Sequence, residues 1–237
     1  MSMNFLRRIA ARLPLHWQIE LKRIHFRRRI HQGTFVSEEP EFSMLSRMVS
    51  YGDWVVDIGA NVGFYTKRLA ELVGNEGRVI AFEPVPETFV LLANNLQNCH
   101  ISNVTLINAA ISDTTNIVGM AIPTYSKTRQ RNYYQAHIAI PTDSELQVLT
   151  VSLDTIQIPK TVRLIKIDAE GHEMSVLKGM QETLRRDRPL LIIEMNHREV
   201  LEFLESLDYV GITLPGSPNT VFHRNDLCWK DLIADVS

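Results

Sequence analysis

The stretch Val55-Val56-Asp57-Ile58-Gly59-Ala60-Asn61-Val62-Gly63 carries the residue types that bring a backbone close to a bound small molecule. Gly59 and Gly63 permit a tight turn where a Cβ would collide, and Ala60 and Asn61 complete the loop between them. A dinucleotide fingerprint begun at Gly59 requires glycine at 61 and a small residue at 64, but Asn61 and Phe64 stand there. A nicotinamide dinucleotide is a poor fit. A second acid follows in Ala81-Phe82-Glu83-Pro84. At the end of a second strand, Glu83 would accept from both hydroxyls of an unphosphorylated ribose and repel a phosphate. No pyrophosphate cradle accompanies it, so a nucleoside ligand without phosphates fits better. S-adenosylmethionine is such a ligand, and Asp57 would balance its cationic methionine portion. Each residue also has a plain structural reading. Gly59 serves as a strand-ending turn, Glu83 as a solvated acid, and Asp57 as a cap for the next helix.

A second cluster reads Asp168-Ala169-Glu170-Gly171-His172-Glu173. Asp168, Glu170 and His172 alternate after an apolar run, so they can point together while Gly171 frees the backbone. With a sulfonium donor, the fitting chemistry is in-line methyl transfer. Alignment of acceptor and methyl carbon is worth roughly 7–11 kcal/mol. A general base on the acceptor adds about 10²–10⁴-fold. Asp168 is the first candidate for that base or for orienting the acceptor, with Glu170 and His172 in support. Glu170 and Glu173 serve equally well as acids at the start of a helix. Asp168, Glu170 and Glu194 could instead offer hard oxygens to Mg²⁺, the less favoured alternative, because no compact ligand motif requires a metal.

These residues need elements to hold them. Trp54–Ile58, Arg78–Phe82, Val104–Asn108, Arg163–Ile167 and Pro189–Ile193 read as strands. Helices are expected over Phe42–Val49, Gly63–Val73, Pro86–Asn95, Glu173–Leu184 and Arg198–Ser206. Tyr209–Leu214 and Thr220–His223 form a closing hairpin around Gly216 and Pro218. The span from Ile117 to Val151 alternates in short fragments with no clear period. Strands separated by helices imply right-handed crossovers: an α/β fold, a mostly parallel sheet with helices on both faces and an antiparallel edge strand. In such a sheet, ligands sit beyond the carboxyl ends of the strands where strand order reverses.

Composition narrows the class further. The chain has 237 residues, 45 % of them hydrophobic and 22 % charged, which argues against a disordered or disulfide-stapled protein. Its two cysteines, Cys99 and Cys228, match no ligand spacing and suit a reducing compartment. No apolar run reaches the ~18 residues of a membrane span, and arginines interrupt the N-terminus where a secretory signal would be apolar. A cytoplasmic location is expected. Charge is uneven. Residues 1–35 hold eight Lys or Arg against one acid, Glu20, while the rest hold 17 basic and 26 acidic side chains. Pro14 divides this basic arm into helical candidates Asn4–Leu13 and His16–Ile30. The arm would cap the site, meet an anionic substrate or a membrane surface peripherally, or act as a transit sequence. Nucleic acid is the weakest partner, given an acidic body without an RNA-binding motif.

The chain resembles the FkbM-type methyltransferases, a branch of the class I S-adenosylmethionine-dependent enzymes. The resemblance is carried by Val56–Thr66, Phe82-Glu83-Pro84, Asn108–Asp113, Thr150–Asp154, Ile165–Glu173, Leu177-Lys178-Gly179 and Arg188-Pro189. It covers residues 36–237 as one domain, with residues 1–35 outside it as a basic helical extension. The resemblance implies a Rossmann-like, seven-stranded sheet and O-methylation of a hydroxyl on a sugar, glycolipid or secondary metabolite. It also places Asp113 at the edge where related enzymes hold the adenine, although an Asx turn explains that residue too. Tyr125, Arg129, Arg131, Tyr133 and Tyr134 occupy the irregular insert, which could form an acceptor lid, although an ordinary solvated loop explains each of them too. Two other readings stand beside this one. One is N-methylation of a protein or peptide side chain, and the other is a noncatalytic nucleoside-binding or membrane-associated scaffold on the same fold.

Overall fold

The computed structural model describes residues 13–123, 132, 135–139, 146–194 and 197–224. Helices α1 (Leu15–His31) and α2 (Pro40–Met48) precede strand β1 (Trp54–Ile58). Then come α3 (Phe64–Val73), β2 (Arg78–Phe82), α4 (Pro86–Asn98) and β3 (Val104–Ile107). After an intervening group of short strands, the pattern resumes with β8 (Val162–Ile167), α5 (Glu173–Lys178), α6 (Gln181–Asp187), β9 (Leu190–Glu194) and α7 (Arg198–Glu205). The hairpin β10 (Tyr209–Thr213) and β11 (Asn219–Arg224) ends the described chain. The short group is β4 (Ala110–Ile111), β5 (Asn116–Ala121), β6 (His137–Ala139) and β7 (Leu146–Val151).

The central sheet has seven strands in the order β10-β11-β9-β8-β1-β2-β3. Strands β1, β2, β3, β8 and β9 are parallel neighbours. Alternation along each strand splits it between two cores. Val55, Val79, Leu164 and Ile192 meet α2, α3 and α4 through Leu45, Leu69 and Leu92. Val56, Ile80, Ile165 and Ile193 meet α5, α6 and α7 through Leu177, Leu184 and Leu204. Each fully buried Leu or Ile contributes roughly 1.5–3 kcal/mol, which accounts for the apolar runs of the inner strands. From β1 the chain winds outward to β3, then returns to β1's other side as β8. The switch point therefore lies between the carboxyl ends of β1 and β8.

Two expectations change, neither of them at the antiparallel edge: β11 pairs antiparallel with both β9 and β10, and β10 takes the edge. A short turn returns the chain immediately beside β10, so both hairpin strands enter the same sheet. The helix expected over Glu173–Leu184 is two helices broken at Gly179. A Cβ there would stand 1.9 Å from the Ser112 carbonyl oxygen, and the Gly179 carbonyl accepts from Asp154 N and Ser152 Oγ. Asp154 also accepts from the backbone of Glu182 and Thr183, capping α6 from a distant loop. Finally, the unreadable span builds a second sheet, β4-β7-β5-β6, over a small core of Val85, Met120, Ile122 and Val148.

The second helical candidate of the arm is α1. It is seated on the domain, with Phe26 and partly buried Ile19 and Ile30 packed among Val62, Leu91 and Phe35. The first candidate, Asn4–Leu13, lies almost wholly outside the described residues, as does Cys228.

Candidate active site

At the end of β1, the backbone turns on left-handed residues. Gly59 has φ +73°, and a Cβ there would lie 1.9 Å from the carbonyl oxygen of Asp168. The glycine is thus required for the approach of β8's end, whatever binds above it. Gly59 N and Ala60 N both donate to the carbonyl of Phe82, stitching the loop to β2. Asn61 N donates to Glu83 Oε2 and Val85 N to Glu83 Oε1, each at 2.9 Å. One carboxylate pins two loops. Glu83 is 5 % exposed, and burial pushes its pKa up to about 7 in spite of those two donors. The buried Asn61 Oδ1 has no partner.

Asp57 lies beneath this loop at 0 % exposure. Its Oδ2 accepts from Thr66 Oγ1 at 2.6 Å, and Oδ1 has no partner. Burial raises its pKa, opposed by the Lys166 cation. Lys166 Nζ sits 2.9 Å from Asp168 Oδ2, 3.4 Å from the Gly59 carbonyl, and 5.2 Å from the centroid of the Tyr65 ring. Burial works against that cation, yet Asp168 and Asp57 together hold its pKa above the ordinary lysine value. A chain of alternating charge, Asp57–Lys166–Asp168, therefore runs under the switch point. It fixes the Asp168 carboxylate from below.

Around Asp168 the wall is acidic. Glu194, at the end of β9, is raised by burial and by its hydrogen-bonded neighbour Asp168. Glu170, at the open rim with φ +48°, is raised to about 7 by partial burial and by Asp168, Glu194 and Glu173. Glu173 accepts from Gly171 N at 2.9 Å and is buried in the first turn of α5, where the helix dipole favours an acid. His172 Nε2 lies 2.9 Å from Ser112 Oγ, and Ser112 donates to Asp113 Oδ1 at 3.1 Å. The serine has one proton, and a carboxylate can only accept. Ser112 Oγ must then accept from His172 Nε2–H, which leaves Nδ1 as the unprotonated nitrogen. Burial lowers the His172 pKa against the pull of Asp113 and Glu173, keeping the ring neutral.

A cavity opens at the carboxyl ends of β1, β2 and β8. Gly59, Asn61, Glu83, Asp168, Glu170 and His172 line it together. Asp57, Ala60 and Gly63 stand behind the lining, and exposed Asp113 stands beside it. Ile58, Phe82, Ala109, Ala110, Ile111 and Met120 supply apolar wall, and His137 and Ile138 of the second sheet close the far side. Among the described residues, no Lys or Arg lines it. A site with an apolar wall, an unpaired amide oxygen and three carboxylates suits a cationic nucleoside and opposes pyrophosphate. S-adenosylmethionine meets that description. Among the described residues no three ligating side chains converge as a metal site. The lid candidates Tyr125, Arg129, Arg131, Tyr133 and Tyr134 lie outside the described residues.

Sequence reasoning passed over Lys166, Ser112 and His137 as working groups. Lys166 had a signal, being the lone cation in the apolar run Leu164-Ile165-Lys166-Ile167. Ser112 and His137 had none, because their neighbours come from distant strands.

The seven-stranded order, with an antiparallel strand one place in from the edge and a cavity at the switch point, is the fold of class I methyltransferases. Within that class, the chain belongs to the FkbM methyltransferase family, whose domain matches residues 57–210. It is 26 % identical over 152 residues to the hexuronic acid methyltransferase AglP of Haloferax volcanii, covering 62 % of this chain and 58 % of that protein. It is also 26 % identical over 149 residues to methyltransferase 1 of Beauveria bassiana, covering 54 % of this chain and 59 % of that one. The chain thus spans less than two thirds of these curated relatives. A methyltransferase FkbM from Methylobacillus flagellatus superposes with a TM-score of 0.54 at 21 % identity, over 72 % of this chain and 43 % of that one. A methyltransferase from Geobacter sulfurreducens gives 0.51 at 12 % identity, over 94 % and 96 %. These two likenesses concern the fold alone. No described helix is long and apolar enough to cross a membrane.

Proposed function

We propose that this chain transfers a methyl group from S-adenosylmethionine to a hydroxyl of a sugar-like acceptor. The observation that carries the reading is the single cavity joining Glu83 to Asp168, Glu170 and His172, with no Lys or Arg among the described residues of its lining. Glu83 accepts the ribose hydroxyls, and the apolar wall with Ala109 and Ala110 receives the base. The bound sulfonium supplies an electrophilic methyl carbon and a neutral leaving group. Asp168, paired with Lys166 at 2.9 Å, orients the acceptor hydroxyl or takes its proton. His172 offers Nδ1 as a second acceptor for that proton.

The hexuronic acid methyltransferase among the relatives supports a sugar acceptor. The described wall offers no Lys or Arg to a sugar carboxylate, so a neutral ring is favoured here over a uronic acid. The same acidic wall would receive a protonated amine, which keeps N-methylation of a peptide side chain as the second reading. Calorimetry should show S-adenosylmethionine and its demethylated product binding, and NAD failing to bind. Incubation with labelled donor, neutral sugars, uronic acids and lysine-containing peptides then reads the acceptor. Label on peptides alone would replace the hydroxyl reading with the amine one, and no donor binding would remove both.

A further inference from the structure

We infer that the outward face of α1 is a docking surface for an anionic lipid bilayer. The helix is apolar on two opposite faces. Ile19, Phe26 and Ile30 face inward, where Phe26 stacks edge-on against Phe35 and Phe64 at 5.9 and 6.4 Å. Trp17, Leu21 and Ile24 recur at helical spacing on the other side and are 55 %, 43 % and 49 % exposed. Fold stability explains the first face and leaves the second unexplained. The outward stripe continues into Arg28 and is flanked by Arg27 and His31, all exposed. The helix has one acid, Glu20, and Arg23 pairs with it. Three further arginines, Arg7, Arg8 and Arg12, precede it in sequence.

Charge complementarity selects the occupant. An anionic leaflet attracts clustered Lys and Arg within a Debye length. Tryptophan prefers the headgroup level, while Leu and Ile enter the acyl boundary. A second copy of the chain fits badly, because a two-fold contact through this stripe would gather two sets of Arg27 and Arg28, while Glu20, the sole acid of each helix, is already paired with Arg23. Nucleic acid would engage the arginines but leave Leu21 and Ile24 without partners. The helix is too polar to span, so it would lie in the interface plane. Its inner face rests on Val62 of the β1–α3 loop, so the docked surface belongs to the body that holds the cavity. The inference stands independently of the proposed reaction.

Flotation of the full-length chain with phosphatidylglycerol–phosphatidylcholine vesicles, compared with phosphatidylcholine alone, tests this. The chain should partition onto the anionic vesicles at low salt and at least about tenfold less at 1 M salt, where the Debye length is about 3 Å. Leu21→Ser with Ile24→Ser, and separately Arg27→Glu with Arg28→Glu, should each weaken partition roughly tenfold. Vesicle binding should shift Trp17 emission to the blue, and Trp17→Phe should abolish that shift. Circular dichroism melting checks the fold. Should the serine pair unfold, the exposed arginine pair still decides. Absence of partition at low salt overturns the inference, as does equal partition onto neutral vesicles or wild-type partition by both double variants. A dimer that the serine pair dissolves, without vesicle binding, would assign the stripe to a second copy instead.

Discussion

The two ends of the cavity are held by different means. At the β1–β2 end, backbone amides do the holding: Gly59, Ala60, Asn61 and Val85 all donate to Phe82 or Glu83. At the β8 end, side chains do it: Lys166 under Asp168, Glu194 beside it, and Ser112 behind His172. A backbone-built wall tolerates few changes because glycine conformations and close approaches define it. A side-chain wall keeps its shape when one group is exchanged but loses its charge pattern. The first suits a ligand common to many proteins of this fold, and the second an acceptor particular to one.

That contrast breaks most severely at Gly59. Gly59→Ala puts a methyl group against the Asp168 carbonyl at a left-handed position, so both strain and overlap apply. It should destabilise the fold by about 2–5 kcal/mol, read by urea unfolding. Gly171→Ala is the control at the acceptor end. It shares a positive φ of 91° but has open space around the added methyl, so only strain remains, about 1–2 kcal/mol. Equal losses at the two positions would mean that the β1–β8 approach is not what Gly59 protects.

Asp168→Asn comes next and touches turnover rather than folding. The amide keeps the shape and removes the charge that faces Lys166. Donor affinity should survive, and methyl transfer should fall by about 10²-fold or more if the carboxylate acts as a base. Normal turnover would leave Asp168 as a structural partner of Lys166 only. Addition of chelator to the wild-type enzyme separates this role from metal ligation, since a base works without metal.

Glu83 sharpens the comparison from the donor end. Glu83→Ala should weaken S-adenosylmethionine binding by roughly 1–3 kcal/mol, the scale for hydrogen bonds to a charged group. In the folded chain Glu83 ionises near 7, against an ordinary value of 4.5. The folded state holds that proton more tightly, so Glu83 favours folding most below pH 4.5, and this contribution is lost as pH rises to about 7. Binding of ribose hydroxyls requires the ionised form. Affinity should therefore climb with pH and level off above about 7, with proton release on binding in that window. Glu83→Gln should flatten the profile. An unchanged slope in that variant would assign the titration elsewhere, with the rim residue Glu170 the first alternative.

Legibility in the sequence followed the same division. Strands β1, β2, β8 and β9 are short apolar runs with a loop at each end, and their ends hold Gly59, Glu83 and Asp168. Local pattern alone suffices for these. The second sheet escaped notice because β4 has two residues and β6 three, and because Ile117 and Leu149 face water where alternation would place polar residues. The break at Gly179 was hidden for another reason. Its cause is a carbonyl at Ser112, and nothing near residue 179 announces it. Asp57 was foreseen as a ligand to the donor's charge, yet it lies under the loop among Thr66 and Lys166. An acid at a strand end marks the neighbourhood of a site without saying whether it faces the ligand or supports the floor.

The smallest expected effect tests the finest feature of the acceptor end. Ser112 does not line the cavity and meets its lining through His172, so on the proposed function it is a positioning residue. Its hydroxyl donates to Asp113 Oδ1 and accepts from Nε2–H, which fixes the tautomer with Nδ1 unprotonated. Ser112→Ala removes the hydroxyl's bonds to Asp113 and His172; the one to His172, worth about 0.5–1.5 kcal/mol, is what reaches the cavity, so turnover should fall only about two- to tenfold. A packing defect would give a similar fall, and the pH profile tells the two apart. The Ser112–Asp113 arrangement supports one neutral tautomer, and its loss leaves the ring to titrate with both tautomers populated. The acidic limb of the rate profile should therefore move in Ser112→Ala and return in Ser112→Thr, which restores the hydroxyl. His172→Gln should remove that limb altogether. If Ser112→Ala slows turnover while the limb stays where it was, His172 is packing, and Asp168 alone faces the acceptor.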